Sequence, residues 1–505
     1  MFQKVLVANR GEIAIRVMRT LREMGIKTVA VYSEADRRAL HVRYADEAYC
    51  VGPAASRESY LRIDRILDAA RRSGAEAIHP GYGFLSENAE FAAACKAAGI
   101  VFIGPPADAI EAMGEKTNAR RLMIKAGVPV VPGTEHPIPS AEEALEVATG
   151  IGFPVLIKAA AGGGGKGMRR VDDPARFIEA FEGARREARS AFNNEACYVE
   201  KFVVEPKHVE IQILCDEHGN GVYLFERDCS VQRRHQKVVE ESPCPVLPDH
   251  VRREMGRVAV QGALSVGYVG AGTFEFLLDK HHNFYFLEMN TRLQVEHPVT
   301  EAVVGVDLVE EQVLIASGRP LRFKQEDLHQ RGHAIEVRIY AEDPANSFLP
   351  SPGRIDRIVV PQGPGVRNDS GYDSGSEVSL HYDPMVAKFI VSGETREKAR
   401  LRLLRALDEY VVEGIANNIE FLKACLQDPS FIDGRYDTGV VGPILERFKA
   451  ARPPSLGDDQ IATIAAAISL ASRAPAAAQQ SPSAGAARDG WRDFGRNRQV
   501  SRLGT

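Results

Sequence analysis

The 505-residue sequence predicts a mixed fold, α/β over its first part and α+β after it. Three observations predict this class. Short apolar strands alternate with amphipathic helices over residues 1–110, which is typical of a Rossmann-like, doubly wound parallel sheet. A small glycine-rich unit follows at about 131–203. Residues 204–450 alternate apolar and polar side chains with a period of two, for example at 209–213 and 334–339, which indicates an antiparallel-rich domain.

The first region begins with an apolar strand at 5–8. Ile13, Val17 and Leu21 then recur at helical spacing, and Gly25 ends that helix. The remaining predicted elements are strands at 28–32, 77–78 and 101–103 and a helix at 60–73. The first turn, at residues 9–12, lacks a G-x-G-x-x-G pattern, which disfavours dinucleotide binding.

A helical connector at 111–130 leads to a proline-rich boundary at 128–139. The small unit after it is predicted to contain helices at 141–149 and 174–189 and strands at 155–158, 168–171 and 198–202. Beyond residue 450 the composition changes. An amphipathic helix at 458–470 and a disordered linker at 474–488 are predicted there.

The composition excludes several classes of protein. Lys and Arg (63) nearly balance Asp and Glu (68), giving a net charge of −5, so nucleic acid is not an expected partner. No apolar run reaches the length of a membrane span, and the N-terminus enters a strand without a basic leader. Seven scattered cysteines contain no C-x-x-C pair, which disfavours a disulfide framework or a zinc site and favours packing roles. We expect a cytoplasmic protein with no membrane partner.

The glycine run at 162–165 lies between Lys158 and Lys166. Successive glycines let backbone N–H groups approach an anion closely, and the two lysines add positive charge. The run is not a Walker A loop, because Gly167 follows Lys166 where Ser or Thr is required. The pattern predicts a hairpin that folds over a nucleotide phosphate. The alternative is a flexible surface turn.

The segment 273–290 predicts a hairpin whose paired residue numbers sum to 563. This register places Glu275 opposite Glu288, with Cβ atoms about 5 Å apart, and directs Asn290 to the same face. Opposed like charges need compensation, and two carboxylates with an amide oxygen suit Mg²⁺ or Mn²⁺. The alternative is a solvated acidic edge.

The residues that follow, Arg292, Gln294 and Glu296, alternate and are predicted to share one face beside the metal. Arginine can hold a small oxyanion with two hydrogen bonds, and glutamate can remove a proton. Arg338 lies in mid-strand on the polar face with Glu336. Its alternative interpretation is a structural salt bridge.

The basic run 232–237 is predicted to be a strand with His235 and Lys237 on one face together with Arg233, and with Arg234 on the other. Its alternative is a solvated basic face. The segment 79–87, which contains Tyr82, follows a predicted strand at the sheet edge where open α/β sheets bind ligands. A turn shaped by glycine and proline explains this segment equally well.

Five motifs together resemble one family, biotin carboxylase, which has an ATP-grasp fold. They are the segments at 9–14, 79–87, 162–168, 227–237 and 288–298, and the resemblance runs in order over roughly residues 1–450. It implies an N-terminal domain at 1–115 and an ATP-grasp domain at 116–330 with a mobile lid at about 131–203. A C-terminal domain at 331–450 and a tail at 451–505 would follow.

The resemblance implies that ATP and bicarbonate form carboxyphosphate, whose CO₂ passes to N1′ of biotin on a carrier protein. Lys237, Arg292, Gln294 and Val295 would hold bicarbonate, and Glu296 would deprotonate it. Arg338 would stabilise the biotin enolate, and Tyr82 would line the biotin site. Two Mg²⁺ (or Mn²⁺) ions would bind Glu275, Glu288 and Asn290. The ATP-binding residues would be Lys116, Lys158, Gly164, Gly165, Glu200, Lys201, Phe202, Val203, His208, His235, Glu275 and Glu288.

None of the nine methionines lies in an Ala-Met-Lys-Met biotin-attachment sequence, so a separate biotin carboxyl carrier protein is expected, along with carboxyltransferase subunits. The family commonly forms homodimers. The final acceptor, acetyl-CoA, propionyl-CoA or pyruvate, stays open. Trp491 and Phe494, among arginines after the linker, are either a docking segment for a partner subunit or a leftover linker. Unchanged capture of the partners after deletion of 451–505 would remove the docking hypothesis.

Two other functions remain open at this point. One is a different ATP-grasp carboxylate ligase that acts on an amine or a small acid. The other is a non-catalytic nucleotide-binding subunit, which would lack a metal ligand or the base. Biotin-dependent ATP cleavage that requires bicarbonate separates the first from biotin carboxylase.

Overall fold

The structure, a computed structural model, describes residues 1–134, 136–159, 168–192, 194–234 and 236–451, and also 463, 465–467 and 469. Residues 1–450 form one unit and residues 451–505 a second. In the second unit, the described residues are helical. The rest of the predicted helix at 458–470, the linker at 474–488 and the segment around Trp491 lie outside the described residues.

Five parallel strands form the N-terminal sheet: β1 (Lys4–Val7), β2 (Lys27–Ser33), β3 (Glu47–Gly52), β4 (Ala77–His79) and β5 (Val101–Phe102). The helices of this region are α1 (Gly11–Glu23), α2 (Leu40–Tyr44), α3 (Ile63–Ser73), α4 (Ala89–Ala97), α5 (Ala107–Gly114) and α6 (Lys116–Lys125). The strand order β3-β2-β1-β4-β5 confirms the predicted doubly wound sheet. Helices α5 and α6 form the predicted helical connector at 111–130, and α6 ends at Lys125.

The amphipathic pattern of α1 explains how the sheet is covered. Ile13, Val17 and Leu21 are fully or almost fully buried, and they join β1 in one core with side chains of the central sheet, such as Leu214 and Ala271. Burying these apolar groups provides the main free-energy gain that attaches the N-terminal sheet to the rest of residues 1–450.

The small glycine-rich unit contains α7 (Ala141–Ile151), β6 (Val155–Ala159), β7 (Met168–Val171), α8 (Phe177–Phe192) and β8 (Cys197–Lys201). Its antiparallel sheet has the order β7-β6-β8. All five predicted elements are confirmed, with shifts of a few residues at their ends. The unit has its own apolar core, in which Phe177 and Phe181 are fully buried. The glycine run itself lies outside the described residues.

The third region contains most of the strands. They are β9 (Lys207–Cys215), β10 (Gly221–Arg233), β11 (Gln236–Ser242), β12 (Gly270–Leu278), β13 (Phe284–Asn290), β14 (His333–Tyr340), β15 (Glu342–Asp343), β16 (Leu349–Pro350), β17 (Gly353–Arg354), β18 (Arg357–Val359), β19 (Val366–Ser370), β20 (Glu377–Val378), β21 (Met385–Gly393) and β22 (Val411–Glu413). The helices are α9 (Asp249–Ser265), α10 (His297–Val304), α11 (Leu308–Ala316), α12 (Arg396–Glu409), α13 (Ile419–Gln427), α14 (Pro429–Ile432) and α15 (Val441–Ala451).

Eight of these strands form one antiparallel sheet in the order β13-β12-β9-β10-β11-β14-β21-β19. The predicted antiparallel domain is therefore confirmed. The sheet continues across residue 330, because β11 pairs with β14 and places Val239 opposite Val337. Strands on both sides of the predicted domain boundary thus share one hydrogen-bonded sheet.

The strands β9 and β14 are buried along their whole length, on both faces. Apolar and polar side chains alternate along both strands, so each strand has an apolar face that packs in a core and a polar face that is covered by other elements. A polar face without access to water needs internal partners, so it identifies the part of the sheet where charged side chains meet.

Among the described residues, no helix combines the length and the apolar character needed to cross a membrane. The seven cysteines are free thiols, and six of them are buried, which agrees with the predicted packing role. Cys50 is the exposed exception.

Candidate active site

A row of four charged side chains crosses the buried face of the central sheet. Glu288, Glu275, Glu210 and Arg227 are directly opposite one another in register across β13, β12, β9 and β10. Directly opposed residues of antiparallel strands project to the same face. The predicted pairing of Glu275 with Glu288 is therefore confirmed, and Glu210 extends the acidic row by one strand.

The predicted register of this hairpin holds only on the side away from the turn. Thr273 is opposite Asn290, as the sum of 563 requires, but Phe276 is opposite Phe286, which gives 562. Leu287 is the extra residue of this β-bulge, and its side chain is exposed. The bulge leaves the positions of both carboxylates intact while it turns the apolar residues next to it into the core.

Arg227 is the buried cation of the row, and its whole side chain is inaccessible to water. Its guanidinium donates to Glu210 Oε1 at 2.5 Å, to Gln212 Oε1 at 2.7 Å and to Gln294 Oε1 at 2.7 Å. Charge-assisted hydrogen bonds of this kind fix side-chain directions strongly. Arg227 thus connects the acidic row to the loop that follows β13.

The predicted basic strand at 232–237 is wrong, because the chain reverses inside it. Gln232 is opposite Lys237 and Arg233 is opposite Gln236, so β10 and β11 form a tight hairpin. Arg234 occupies the turn with a φ of +50°. His235, predicted to contact ATP, lies outside the described residues.

A β-bulge in β11 directs Lys237 into the site. Gln232 is opposite Lys237, but Val231 is opposite Val239, so Val238 is an extra residue on this strand. Lys237 and Glu240 therefore face the same side of the sheet although they are three residues apart. This face is the one that carries the acidic row.

Lys237 connects three carboxylates. Its ammonium group lies 2.5 Å from Glu210 Oε2, 3.1 Å from Glu275 Oε1 and 2.5 Å from Glu296 Oε1. Burial by itself lowers the pKa of this ammonium, but the three acids outweigh burial and raise it well above the usual range. Lys237 is thus a fixed positive charge at the centre of the site.

Glu296 lies between two cations at the start of α10. Its Oε1 accepts from Lys237, and its Oε2 lies 2.9 Å from Arg338 Nη2. Burial raises the pKa of this carboxyl group, yet Lys237, Arg338 and Arg227 together hold it well below its usual range. Glu296 is therefore an ionised, oriented carboxylate at neutral pH.

Arg338 bridges two buried acids. Its Nε donates to Glu240 Oε1 at 2.6 Å, while its Nη2 donates to Glu296. The salt-bridge alternative is thus partly right. The same guanidinium also lines a cavity of about 520 Å³ together with Tyr82, Arg292 and Val295. Arg338 therefore combines a buried anchor with access to a pocket.

The loop after β13 brings its polar side chains to the same cluster. Gln294 Nε2 and Asn290 Nδ2 donate to Glu275 Oε1 at 2.8 and 2.9 Å. Arg292 Nη2 donates to Asn290 Oδ1 at 2.7 Å. The predicted strand-like alternation of 292, 294 and 296 is wrong, because β13 ends at Asn290. The predicted convergence of these three side chains is confirmed.

Glu87 of the N-terminal region holds Arg292 in this position. Its Oε2 accepts from Arg292 Nε at 2.7 Å, and its Oε1 accepts from the backbone N–H of Thr291 at 3.0 Å. Two residues separated by more than two hundred positions in the chain are joined in this way. The motif at 79–87 thus reaches the site through its last residue.

The side chains predicted to bind a divalent cation lie together. Glu275 and Glu288 face each other, and Asn290 contacts Glu275 through its amide nitrogen, while its amide oxygen accepts from Arg292. Lys116 Nζ lies 3.0 Å from Glu288 Oε2, and His208 Nε2 lies 2.9 Å from Glu275 Oε2. The two opposed carboxylates, each of which contacts a basic side chain, form a donor set that fits Mg²⁺ or Mn²⁺.

Several of the predicted nucleotide contacts lie on the small unit and at its base, while Lys116 and His208 lie on α6 and β9. Lys158 on β6 forms an ion pair with Glu200 on β8. Lys201 Nζ donates to the carbonyls of Gly152 and Phe153, Phe202 lies under Arg170 with a cation–π distance of 4.3 Å, and Val203 is buried. Gly164 and Gly165 lie outside the described residues.

The cavity is shaped by the turn that carries Tyr82. Asn9 Nδ2 donates to the carbonyls of Pro80 and Tyr82, both at 2.7 Å. Gly81, between them, has a φ of +65°, and a Cβ there would lie 2.9 Å from Asn9 Nδ2, so glycine is required. Lys388, fully buried, donates to the carbonyl of Val295 at 2.9 Å and fixes the opposite wall.

Sequence reasoning assigned no role to Glu87, Glu210, Arg227 or Glu240. Glu87 ends the motif at 79–87, and a carboxylate at the end of a predicted ligand-binding loop is a signal that could identify it. Glu210 lies in an alternating strand, where polar positions are usually solvated. The face it occupies is buried by residues distant in sequence, so no local signal distinguished it.

Three family models match the chain. "Biotin carboxylase, N-terminal domain" matches residues 1–110, "Carbamoyl-phosphate synthase L chain, ATP binding domain" matches residues 115–324, and "Biotin carboxylase C-terminal domain" matches residues 336–442.

Curated proteins of two kinds are similar to the chain. Biotin carboxylase 1 of Bacillus subtilis is 52% identical over 87% of the chain and 98% of its own length. The mitochondrial methylcrotonoyl-CoA carboxylase subunit alpha is 52% identical in Dictyostelium discoideum and 53% identical in Mus musculus. These matches cover 92% and 87% of the chain, but they span only 67% and 61% of the longer proteins.

Solved structures agree in fold over most of the chain. A complex of biotin carboxylase with β,γ-ATP from Campylobacter jejuni has a TM-score of 0.80 at 46% identity and covers 88% of the chain and 99% of its own. The biotin carboxylase domain dimer of 2-oxoglutarate carboxylase from Hydrogenobacter thermophilus, with MgADP, ADP and bicarbonate, has a TM-score of 0.79 at 46% identity. Its coverage is 88% and 99%.

Proposed function

Because the chain belongs to the biotin carboxylase family, we propose that it uses ATP and bicarbonate to carboxylate biotin held by a carrier protein. The predicted ATP-grasp fold class is confirmed by the matching ATP-binding model and by the similar structures. The observation that carries the proposal is the position of Glu296, an ionised carboxylate held between Lys237 and Arg338.

The first proposed step is removal of the bicarbonate proton by Glu296. Lys237, Arg292, Gln294 and the backbone of Val295 would hold the anion beside it. Bicarbonate is a weak nucleophile, so fixed cations and an oriented base lower the barrier by positioning and by stabilising the developing charge. Entry of the anion between Lys237 and Glu296 would weaken their contact and thereby make Glu296 a stronger base.

In the second step, an oxygen of the deprotonated anion attacks the γ-phosphorus of ATP, and ADP leaves. The products are carboxyphosphate and ADP, so atoms and charge balance. Lys116 and Lys158 would hold the phosphates, with Gly164, Gly165, His208 and His235 next to them. The segment Glu200, Lys201, Phe202 and Val203 would hold adenine at the base of the small unit.

Two Mg²⁺ or Mn²⁺ ions would bind at Glu275, Glu288 and Asn290. When bound, they would neutralise the charge on the transferred phosphoryl group. The contribution of the chain is the opposed pair of carboxylates, which the hairpin holds on one face.

In the third step, carboxyphosphate releases CO₂ and phosphate, the released phosphate takes the N1′ proton of biotin, and the resulting biotin enolate attacks the CO₂ through N1′. The cavity beside Tyr82 would receive the biotin ring, and Arg338 at its edge would stabilise the enolate. The small unit at 131–203, which has its own core, would act as a lid that keeps water away from carboxyphosphate.

The partner of this half-reaction would be a carboxyltransferase that moves the carboxyl group to acetyl-CoA, propionyl-CoA or pyruvate. Similar proteins are named as subunits of propionyl-CoA, methylcrotonoyl-CoA and pyruvate carboxylases. A cytoplasmic homodimer with a separate carrier protein, serving an acyl-CoA carboxylase such as that of fatty acid biosynthesis, is our proposal for its setting.

The test is ATP cleavage by the purified chain with free biotin. We expect cleavage to require bicarbonate and Mg²⁺, to increase with biotin and to yield carboxybiotin. Cleavage that depends on another small acid or amine instead of bicarbonate would indicate a different ATP-grasp ligase and would overturn the proposal.

A further inference from the structure

Two buried glutamates face each other behind Arg338. Glu240 on β11 and Glu336 on β14 are directly opposite in register, on the face that carries the candidate active site. Neither side chain has any access to water. The helix α10 covers this part of β14, and Val299 and Val303 pack with Ala334 and Ile390 around it. Like charges opposed in such a site destabilise the sheet unless something compensates.

The hydrogen bonds of the pair do not balance if both acids are ionised. Glu240 Oε1 accepts from Arg338 Nε, but Glu240 Oε2 has no partner among the described residues. Both oxygens of Glu336 are also without a hydrogen-bond partner in the described part of the chain. Buried polar atoms are rarely unpartnered, and two ionised carboxylates can only accept.

One proton provides partners for two of these three oxygens. If Glu336 is a neutral acid, its O–H can donate to Glu240 Oε2, which leaves Glu240 ionised and bonded to Arg338 through its other oxygen. The proton gives a partner to one unpaired oxygen on each residue. We propose that Glu240 and Glu336 form a hydrogen-bonded acid–carboxylate pair that positions Arg338, with Glu336 protonated at neutral pH. The inference rests on the proposed role of Arg338 at the biotin cavity.

The surrounding charges agree with this assignment. Burial is the largest influence and raises the pKa of Glu240 to about 7, although Arg338 opposes it. Burial also raises the pKa of Glu336 well above its usual range, against the attraction of Lys388 and Arg338. The titratable groups that face the pair from neighbouring elements are Cys229 on β10, Lys237 on β11, Arg338 on β14, Lys388 on β21 and Glu296 before α10.

The pair would act on the reaction through Arg338. With Glu240 ionised, the guanidinium is held from behind by Nε while Nη2 reaches Glu296 at the cavity. Without this anchor, Arg338 would have Glu296 as its main anionic partner. It would then turn away from the cavity and hold the base in a less reactive form. Glu240 and Glu336 are thus positioning residues, neither of which contacts substrate.

Kinetics with free biotin distinguish the two members of the pair. We expect Glu240→Gln to lower kcat/KM for biotin by about tenfold or more, because glutamine keeps an acceptor for Arg338 but removes the negative charge that strengthens this hydrogen bond. Glu336→Leu, which cannot donate a hydrogen bond, is expected to have a similar loss. Glu336→Gln, whose amide can replace the acid O–H as donor, is expected to recover most of it. Equal losses in the Gln and Leu variants of Glu336 would overturn the proposal.

Infrared spectroscopy at pH 8, above the pKa of about 7 for Glu240, provides a readout that does not depend on activity. The difference spectrum between the wild-type chain and Glu336→Gln should show the loss of one un-ionised carboxyl group. Glu226→Gln is the matched control, because Glu226 is equally buried but is bonded to Arg252 outside the site. An un-ionised carboxyl signal unchanged in Glu336→Gln would overturn the proposal, even if Glu336→Leu does not fold.

These experiments separate two kinds of failure. A wild-type chain without biotin-stimulated ATP cleavage contradicts the proposed function. A wild-type chain that is active but whose spectrum lacks the carboxyl difference contradicts only the proton on Glu336.

Discussion

Replacement of Glu87 by Gln tests whether the N-terminal region positions the anion site. Glu87 Oε2 accepts from Arg292 Nε at 2.7 Å, and Oε1 accepts from the Thr291 backbone. Glutamine keeps an acceptor but removes the charge. A hydrogen bond to a charged group contributes about 1.5–3 kcal/mol. Because 39% of the Glu87 side chain is exposed, solvent reduces this contribution, and the lower end applies.

A loss of about 1.5 kcal/mol corresponds to about a tenfold change. We therefore expect the KM for bicarbonate to rise about tenfold in Glu87→Gln at low ionic strength, while the KM for ATP changes little. Arg292 keeps its bond to Asn290 Oδ1, so activity should not disappear. The assay is bicarbonate-dependent ATP cleavage with free biotin, and Glu90→Gln, an exposed neighbour, is the control. An unchanged KM for bicarbonate would refute this reasoning.

Three further predictions concern the charges of the site and its surroundings. Glu288→Gln should raise the Mg²⁺ concentration needed for half-maximal ATP cleavage at least about tenfold. The urea midpoint of the metal-free chain should stay unchanged or increase, because the substitution removes a repulsion with Glu275. A clearly lower midpoint would contradict the opposed pair of carboxylates. Lys237→Met should lower the free energy of unfolding by about 3–5 kcal/mol, because three buried acids lose their shared cation. A loss below about 1 kcal/mol in urea denaturation would be inconsistent with that geometry. Burial raises the pKa of Glu241, but His333 and Arg396 outweigh it and lower the pKa to about 2 from an ordinary 4.5. This acid therefore stabilises the fold above about pH 4.5 and loses its effect as the pH falls toward 2. Glu241→Gln should be about 3 kcal/mol less stable than wild type above pH 5, a difference that closes near pH 2; a constant difference would contradict the depressed pKa.

Local patterns predicted the strands and their main pairing well. The arithmetic that placed Glu275 opposite Glu288 needed only a turn position and the period of an antiparallel pair. The bulge at Leu287 could not be predicted, because it depends on how the neighbouring phenylalanines fill the core. The error was confined to the residues nearer the turn, where no candidate ligand lies.

The reversal of the chain between β10 and β11 could not be predicted from the sequence for a different reason. The segment 232–237 contains no Gly, Pro, Asn or Asp, which are the usual turn residues. Arg234 adopts a left-handed backbone conformation there. The resemblance of this segment to a family motif suggested the role of Lys237. The strand pattern, by contrast, placed that residue on an undisturbed strand, and only the bulge at Val238 explains how it faces Glu240.

The remaining site residues could not be predicted, because elements distant in the sequence bury them. Glu210 and Glu240 are polar positions in alternating strands, which usually indicates a solvated face. They are buried because β11 pairs with β14 and because α10 packs on the same face. Pairing between strands almost a hundred residues apart, like the bond from Glu87 to Arg292, leaves no trace in local periodicity.

The role of Glu296 as the base for bicarbonate is tested most directly by comparing wild type with Glu296→Gln in bicarbonate-dependent, biotin-stimulated ATP cleavage. Glutamine fills the same space between Lys237 and Arg338 but cannot accept the proton as a carboxylate can. We predict that turnover falls by about 10²-fold or more while ATP still binds. Undiminished biotin-stimulated turnover in the variant would contradict the assignment of the base.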